Sequence, residues 1–193
     1  MKRPENDHFP QLPYLGVATQ FVDRVSGILD RIELFEGFDQ EDVAYMCAHM
    51  SCYRAPAAAP IIVEGDAGDF LVLVISGIVG INKRDAEGHD KAVSAVGPGK
   101  TLGEMSLIDG QPRFASCVAI EDTEFAVLDR ESLSRIIADN PQLGIKILIE
   151  MVQLLSQRLR AATAKLADHH EIGRAAAGKP AQRRRRRSGM VAR

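Results

Sequence analysis

The sequence predicts an α+β fold in which a compact antiparallel β unit, a small barrel or roll, sits between helices. Two observations carry this. Between Cys52 and Leu128 the chain offers short β-branched or apolar segments divided by Gly, Asp and Pro, among them "IIVEGDAGD", "FLVLVISG", "KAVSAVGPGK" and "EFAVLD". Strands this short, with turn signals roughly every 8 to 12 residues, suit an all-β unit whose edges are closed or covered. On both sides of that region apolar residues recur instead at helical spacing.

In chain order, residues 1–17 carry three prolines and mixed polarity and read as a disordered lead-in. From Ala18 to Ile32 the residues Phe21, Val22, Val25, Ile28, Leu29 and Ile32 fall on one helical face. Asp39 is placed to N-cap a second short helix with Val43, Met46, Cys47 and Met50 inward. After the β unit, whose turns would hold Gly65, Gly68, Gly77, Gly88, Gly97 and Gly99, Asp129 can cap "RESLSRIIAD". Asn140 and Pro141 have the chemistry of N-cap and first residue of a helix running to His169. That helix carries two apolar stripes. Ile145, Leu148, Val152, Leu155, Leu159, Ala162 and Leu166 form one, and Leu143, Ile147, Met151 and Leu154 the other. One stripe is expected on the β unit and the other against the same helix of a second chain, giving a homodimer; the alternative is a monomer with one wide buried face.

The 193 residues, 46% hydrophobic and 26% charged, suit one globular domain, here residues 18–169. No apolar run approaches the roughly 18 residues of a membrane span, and the N-terminus has no secretory pattern, so a cytoplasmic location is expected. Cys47, Cys52 and Cys117 are odd in number and lack zinc-site spacing, which reads as buried reduced thiols. His169 and His170 are neighbours that cannot share a helix face, and read as solvated surface residues. Residues 170–193, rich in Ala, Gly and Arg, read as a disordered basic tail. From Glu171 onward the chain carries a charge of +7 against −9 for the rest. Nucleic acid is not expected as a partner except non-specifically through Arg183 to Arg187; a solvated or self-associating tail is the main reading, with an acidic partner or membrane surface as alternatives. No nucleophile is paired with a base, so no enzymatic role is expected.

One stretch carries chemistry, "LGEMSLIDGQPRFAS", Leu102 to Ser116. Gly103 permits close backbone approach, and Glu104 to Ile108 can form a helical turn whose first N–H groups face an anion. Arg113, after the turn set by "DGQP", can add a bidentate contact to phosphate oxygens. Glu104 cannot hold a phosphate, but its carboxylate can accept hydrogen bonds from a sugar hydroxyl.

Two helices, a β unit, this G-E-hydrophobe-small-L-hydrophobe turn with its Pro-Arg pair, and a long closing helix resemble the cyclic nucleotide-binding domain family, over about Ile32 to Leu166. The upstream "EGDAGDFLVLVISG" is similar to a second family segment, in which Gly65, Asp66 and Gly77 shape the roll without touching ligand. The resemblance implies an eight-stranded, jelly-roll-like β-roll flanked by N-terminal helices and the long C-terminal helix, with cAMP or a related cyclic nucleotide as ligand and no other cofactor. It places Gly103, Glu104 and Met105 along the phosphate cassette, with Leu102, Ser106, Pro112 and Ala115 beside them. Glu104 would hold the ribose 2′-hydroxyl and Arg113 the cyclic phosphate. Val72 and Leu73 would wall the base, and Thr163 of "QRLRAATAKL" would meet the purine amino group. Phe114 departs from the small residue usual after the arginine. Its N–H still suits a phosphate oxygen, while its ring is expected to narrow or reshape the pocket. The absence of Thr there favours cAMP over cGMP.

The function so implied is a stand-alone receptor that signals to a separate protein effector by a ligand-driven population shift. The two dozen residues that remain after the long helix are too few for a helix-turn-helix, so none is expected here. The alternative is an interaction or scaffold protein, ligand-free or binding cyclic di-GMP, that uses the long helix and Arg-rich tail.

Overall fold

A computed structural model describes residues 2–29 and 37–177, which fall into two compact units, Met1–Gln153 and Leu154–Arg193. Strand β1 (Tyr14–Val17) leads through a 3-10 turn (Ala18–Phe21) to helix α1 (Val22–Leu29) and then α2 (Gln40–Ala48). The β region follows as β2 (Ser51–Ala55), β3 (Pro60–Ile62), β4 (Phe70–Ser76), β5 (Val79–Arg84), β6 (Asp90–Val96) and β7 (Thr101–Leu102). A short helix α3 (Glu104–Asp109) precedes β8 (Ser116–Ala119) and β9 (Thr123–Asp129), and α4 (Arg130–Asp139) and α5 (Pro141–Ala177) close the chain.

The strands form two antiparallel sheets, ordered β1-β2-β9-β4-β7 and β3-β8-β5-β6. Alternation along each strand sorts side chains between two cores. Phe70, Val72, Val74, Tyr53, Phe125 and Val127 meet Ile62, Val79, Cys117 and Ala119 inside the roll. Leu71, Leu73, Ile75, Cys52, Ala126 and Leu128 point the other way, into a core shared with all five helices. A strand covered on both faces has no polar side, which is why "FLVLVI", Phe70 to Ile75, is apolar throughout.

Helix starts follow their caps. Asp39 accepts from the Asp42 N–H at 2.8 Å and Asp42 returns the bond to Asp39 N–H, a reciprocal capping box. Asp129 accepts from Ser132 N–H at 2.7 Å, and Asn140 from Leu143 N–H at 3.2 Å. On α5, Leu143, Ile147 and Met151 are buried in the helix-side core, whereas Ile145, Leu148 and Val152 of the other stripe are exposed. Cys47, Cys52 and Cys117 are buried free thiols, and burial pushes them up to about 11, 12 and 12 respectively. None is a thiolate at neutral pH.

Several elements differ from the sequence reading. Among the described residues there are nine strands, not eight, because β1 is recruited from the lead-in and pairs antiparallel with β2. Nor is the rest of the lead-in disordered: Phe9 and Leu12 are buried in the roll core, and aromatic burial outweighs the three prolines. The first helix is shorter, its opening turn being 3-10, and Ile32 lies outside the described residues. The closing helix runs past His169 to Ala177, while the Arg183 to Arg187 run lies outside the described residues.

His8 of the lead-in sits between two carboxylates, its Nε2 3.6 Å from Asp129 and its Nδ1 3.9 Å from Asp69. The His8 imidazole, helped by the Ser132 N–H and opposed by burial, holds the Asp129 carboxyl at about 2 against an ordinary 3.8. A carboxyl depressed in the folded state adds stability that is fully present above its unfolded value and is lost as pH falls through the folded one. Asp129→Asn, which keeps a capping side chain, is therefore expected to be less stable than the parent at pH 7, with the gap narrowing between pH 5 and pH 3. Urea midpoints across that range check this; a constant gap would assign the loss to something other than the charge.

Candidate functional site

The turn between β3 and β4, the head of β4, α3 and the segment before β8 converge on Arg113. Its backbone is clasped on both sides: Gly65 N–H donates to Arg113 O at 2.9 Å and Arg113 N–H to Asp66 O at 2.8 Å. The architectural pair Gly65 and Asp66 thus aims the arginine. Its side chain is only 4% exposed, with Nη1 donating to Phe70 O at 2.8 Å and Gly103 O at 2.9 Å. The guanidinium carbon lies 4.1 Å from the centre of the Phe70 ring. Nη2 has no hydrogen-bond partner among the described residues. Burial draws the guanidinium down from its usual value, opposed by nearby Cys117 and Asp69, but arginine stays charged. A buried cation with an unspent donor suits an anion.

Gly103 supplies the geometry on the opposite wall. It takes φ +78° as the N-cap of α3, a backbone that suits glycine, and its missing side chain leaves Arg113 Nη1 in place. Gly68 is glycine for room: a Cβ there would overlap Nε and Cζ of Arg113. The first N–H groups of α3 lie beyond the reach of intrahelical acceptors. Glu104 is fully buried at 1% exposure, and Ser106 is buried with its carbonyl accepting from Arg130 at 3.0 Å. Leu107 anchors α3 in the helix-side core, leaving Met105 and Ile108 exposed.

Of the residues singled out from sequence, Gly103 and Arg113 are in contact, Leu102 lies in the roll core, and Glu104 and Ser106 are buried on α3. Val72 lies in the roll core opposite Leu102 on β7. Leu73 does not line the same space: the strand's two-residue alternation turns it into the helix-side core, correcting its assignment to the wall. Pro112 is exposed and Ala115 half-buried. The Phe114 ring is 64% exposed and lies under the Lys83 ammonium at 4.5 Å, while Lys83 also donates to Phe114 O at 2.7 Å. A largely exposed ring held this way does not fill an interior pocket, contrary to the expected narrowing. Thr163 belongs to the second unit, where it is exposed and its hydroxyl donates to Leu159 O at 2.9 Å. Phe70 and Lys83 were not legible as site residues; Gly68 was legible only as a turn glycine, not as a residue making room for Arg113.

The fold and site define a class, a two-sheet antiparallel roll with a glycine-headed helical turn and a buried arginine facing one another. Comparison with known proteins agrees. Residues 54–140 match the family model described as cyclic nucleotide-binding domain. A crystal structure of a cyclic nucleotide-binding domain from Methylobacillus flagellatus is 38% identical, with a TM-score of 0.78 over 88% of this chain and 97% of that one. The cyclic AMP receptor protein of Thermus thermophilus is 36% identical over 69% of this chain and 60% of its own length. A cAMP-activated global transcriptional regulator of Mycobacterium tuberculosis is 31% identical over 73% of this chain and 61% of its own. The chain belongs to the cyclic nucleotide-binding domain family. It spans about three fifths of the length of the two curated relatives. Among the described residues no helix is long and apolar enough to cross a membrane.

Gly68→Ala should force the guanidinium out of its slot. The expected cost is about 1 to 3 kcal/mol, typical of an overpacked interior, read as a lower urea midpoint. Nucleotide binding measured by calorimetry should weaken with it; a variant with the parent's midpoint and affinity would mean that Arg113 has a second, equally good position.

Proposed function

We propose that this chain is a cytoplasmic receptor for a cyclic nucleotide, with cAMP preferred to cGMP, that passes ligand occupancy to a separate protein. The observation that carries this reading is Arg113: a buried guanidinium, anchored through Nη1 to two backbone carbonyls, with Nη2 unpartnered among the described residues. In this reading Nη2 and the N–H groups opening α3 take the cyclic phosphate, and the Phe114 N–H adds a further donor. Glu104 accepts from the ribose 2′-hydroxyl, and Val72 and Leu102 contribute apolar wall. Preference for cAMP is supported by the absence of Thr after Arg113 and by the names of the two curated relatives.

Signal transfer would use the helix-side core. Leu107 of α3 packs in the same core as Leu133 and Ile136 of α4 and Leu143 and Ile147 of α5. A ligand that favours one position of α3 biases that core, by no more than its differential affinity for the two arrangements. The exposed stripe of Ile145, Leu148 and Val152 supports dimerisation through α5.

Calorimetric titration with cAMP, cGMP and cyclic di-GMP tests the ligand. Binding of cAMP at least several-fold tighter than of cGMP is expected, and no heat with any of the three would refute the receptor reading. Arg113→Ala should lose the ligand-induced rise in melting temperature, and, with Phe70 O and Gly103 O left without their donor, should melt below the parent without ligand while still unfolding in one cooperative transition. Sedimentation at micromolar concentration should report a dimer, and Val152→Glu should return it to monomer.

A further inference from the structure

The Phe70 ring is shared between Arg113 and the N-terminal segment. His8 lies 4.7 Å and Phe9 5.3 Å from its centroid, against 4.1 Å for the Arg113 guanidinium carbon. Phe70 therefore holds the arginine twice, by its carbonyl on Nη1 and by its ring. As the first residue of β4, paired with the last residue of β9, it sits where the ladder constrains a strand least. The ring's position depends on what packs against it.

The packing comes from an extended segment that is itself tied down. Arg3 pairs with Asp7 and donates to Leu12 O at 2.8 Å, and Asp7 accepts from Tyr53 Oη at 3.0 Å. Asn6 donates to Glu131 at 3.1 Å, and His8 faces Asp69 and Asp129. Phe9, 2% exposed, also meets Tyr53 and Phe125, each at 5.2 Å. All of these N-terminal residues precede the stretch 54–140 that matches the family model.

We infer that His8 and Phe9 are positioning residues for the anion site: they fix the Phe70 ring, and the ring fixes the guanidinium of Arg113. The inference rests on the reading of Arg113 as the phosphate contact. A flat cation anchored at one nitrogen can still swing about that anchor, and the ring closes off the swing. An N-terminal strap outside the matched region thus sets the aim, and hence the affinity, of the binding arginine.

The test has one ligand-free and one ligand-bound readout, both on the full chain. In a 15N-labelled sample the Arg113 Nε–H signal, identified by its loss in Arg113→Lys, should carry a ring-current displacement. Phe70→Leu should abolish that displacement, and Phe9→Ala and His8→Ala should reduce it. By calorimetry with cAMP, Phe70→Leu should weaken binding about ten-fold, the scale of a desolvated cation–π contact. Phe70→Tyr, which keeps the ring, should stay within about three-fold, and Phe9→Ala should fall between the two. Phe9→Leu replaces Phe9→Ala if the latter does not fold, as judged by its melt without ligand. An Arg113 signal indifferent to residues 8 and 9, or parental affinity in Phe70→Leu, overturns the inference. If the parent takes up none of cAMP, cGMP and cyclic di-GMP, the receptor reading fails, and the Arg113 spectrum alone decides the positioning role.

Discussion

A guanidinium buried in the interior of a β-roll constrains everything near it. Leaving such a charge without partners is costly, so carbonyls, an aromatic face or an anion must surround it. In this chain two carbonyls take one nitrogen, an aromatic ring covers the carbon, and two glycines make the room. The Gly65–Asp66 turn clasps the arginine's own backbone. Remove any of these and the charge either moves or loses its compensation.

The five-stranded sheet then connects the slot to the helices. Because β4 and β9 are buried on both faces, a residue facing the roll interior is next in sequence to one facing the helices. Val72 and Leu73 illustrate it. Helix α3 bridges the two sides differently, with Gly103 against the arginine and Leu107 in the helix-side core. Close-packed interiors respond to displacement by discrete repacking more than by continuous yielding, so a small shift of α3 has somewhere to be felt.

The helices, the strands of the β region and the caps were legible in the sequence because each depends on local chemistry. Asp39, Asp129 and Asn140 are recognisable from one turn of sequence, and the structure uses all three as caps. The contact between Gly103 and Arg113 was legible for the same reason, since the two lie within eleven residues. What escaped was non-local. The lead-in reads as disordered from its prolines, yet Phe9 finds Tyr53, Phe70 and Phe125, partners at least 44 residues away. The side on which Leu73 falls depends on strand register, which a continuous apolar run leaves open.

The same distinction explains why the wrong aromatic drew attention. Phe114 follows Arg113 directly, so sequence proximity made it the candidate for altering the pocket. Phe114 lies at a bend before β8 and turns outward under Lys83, while its neighbour Arg113 turns inward. The ring that does bear on the guanidinium is Phe70, 43 residues earlier, brought there by the β3–β4 turn that also clasps the Arg113 backbone. An arginine whose environment is assembled from so many remote segments owes its aim to the whole unit more than to its motif. A chain can therefore keep every residue of the cassette and still lose the site if a distant strap or ring is altered.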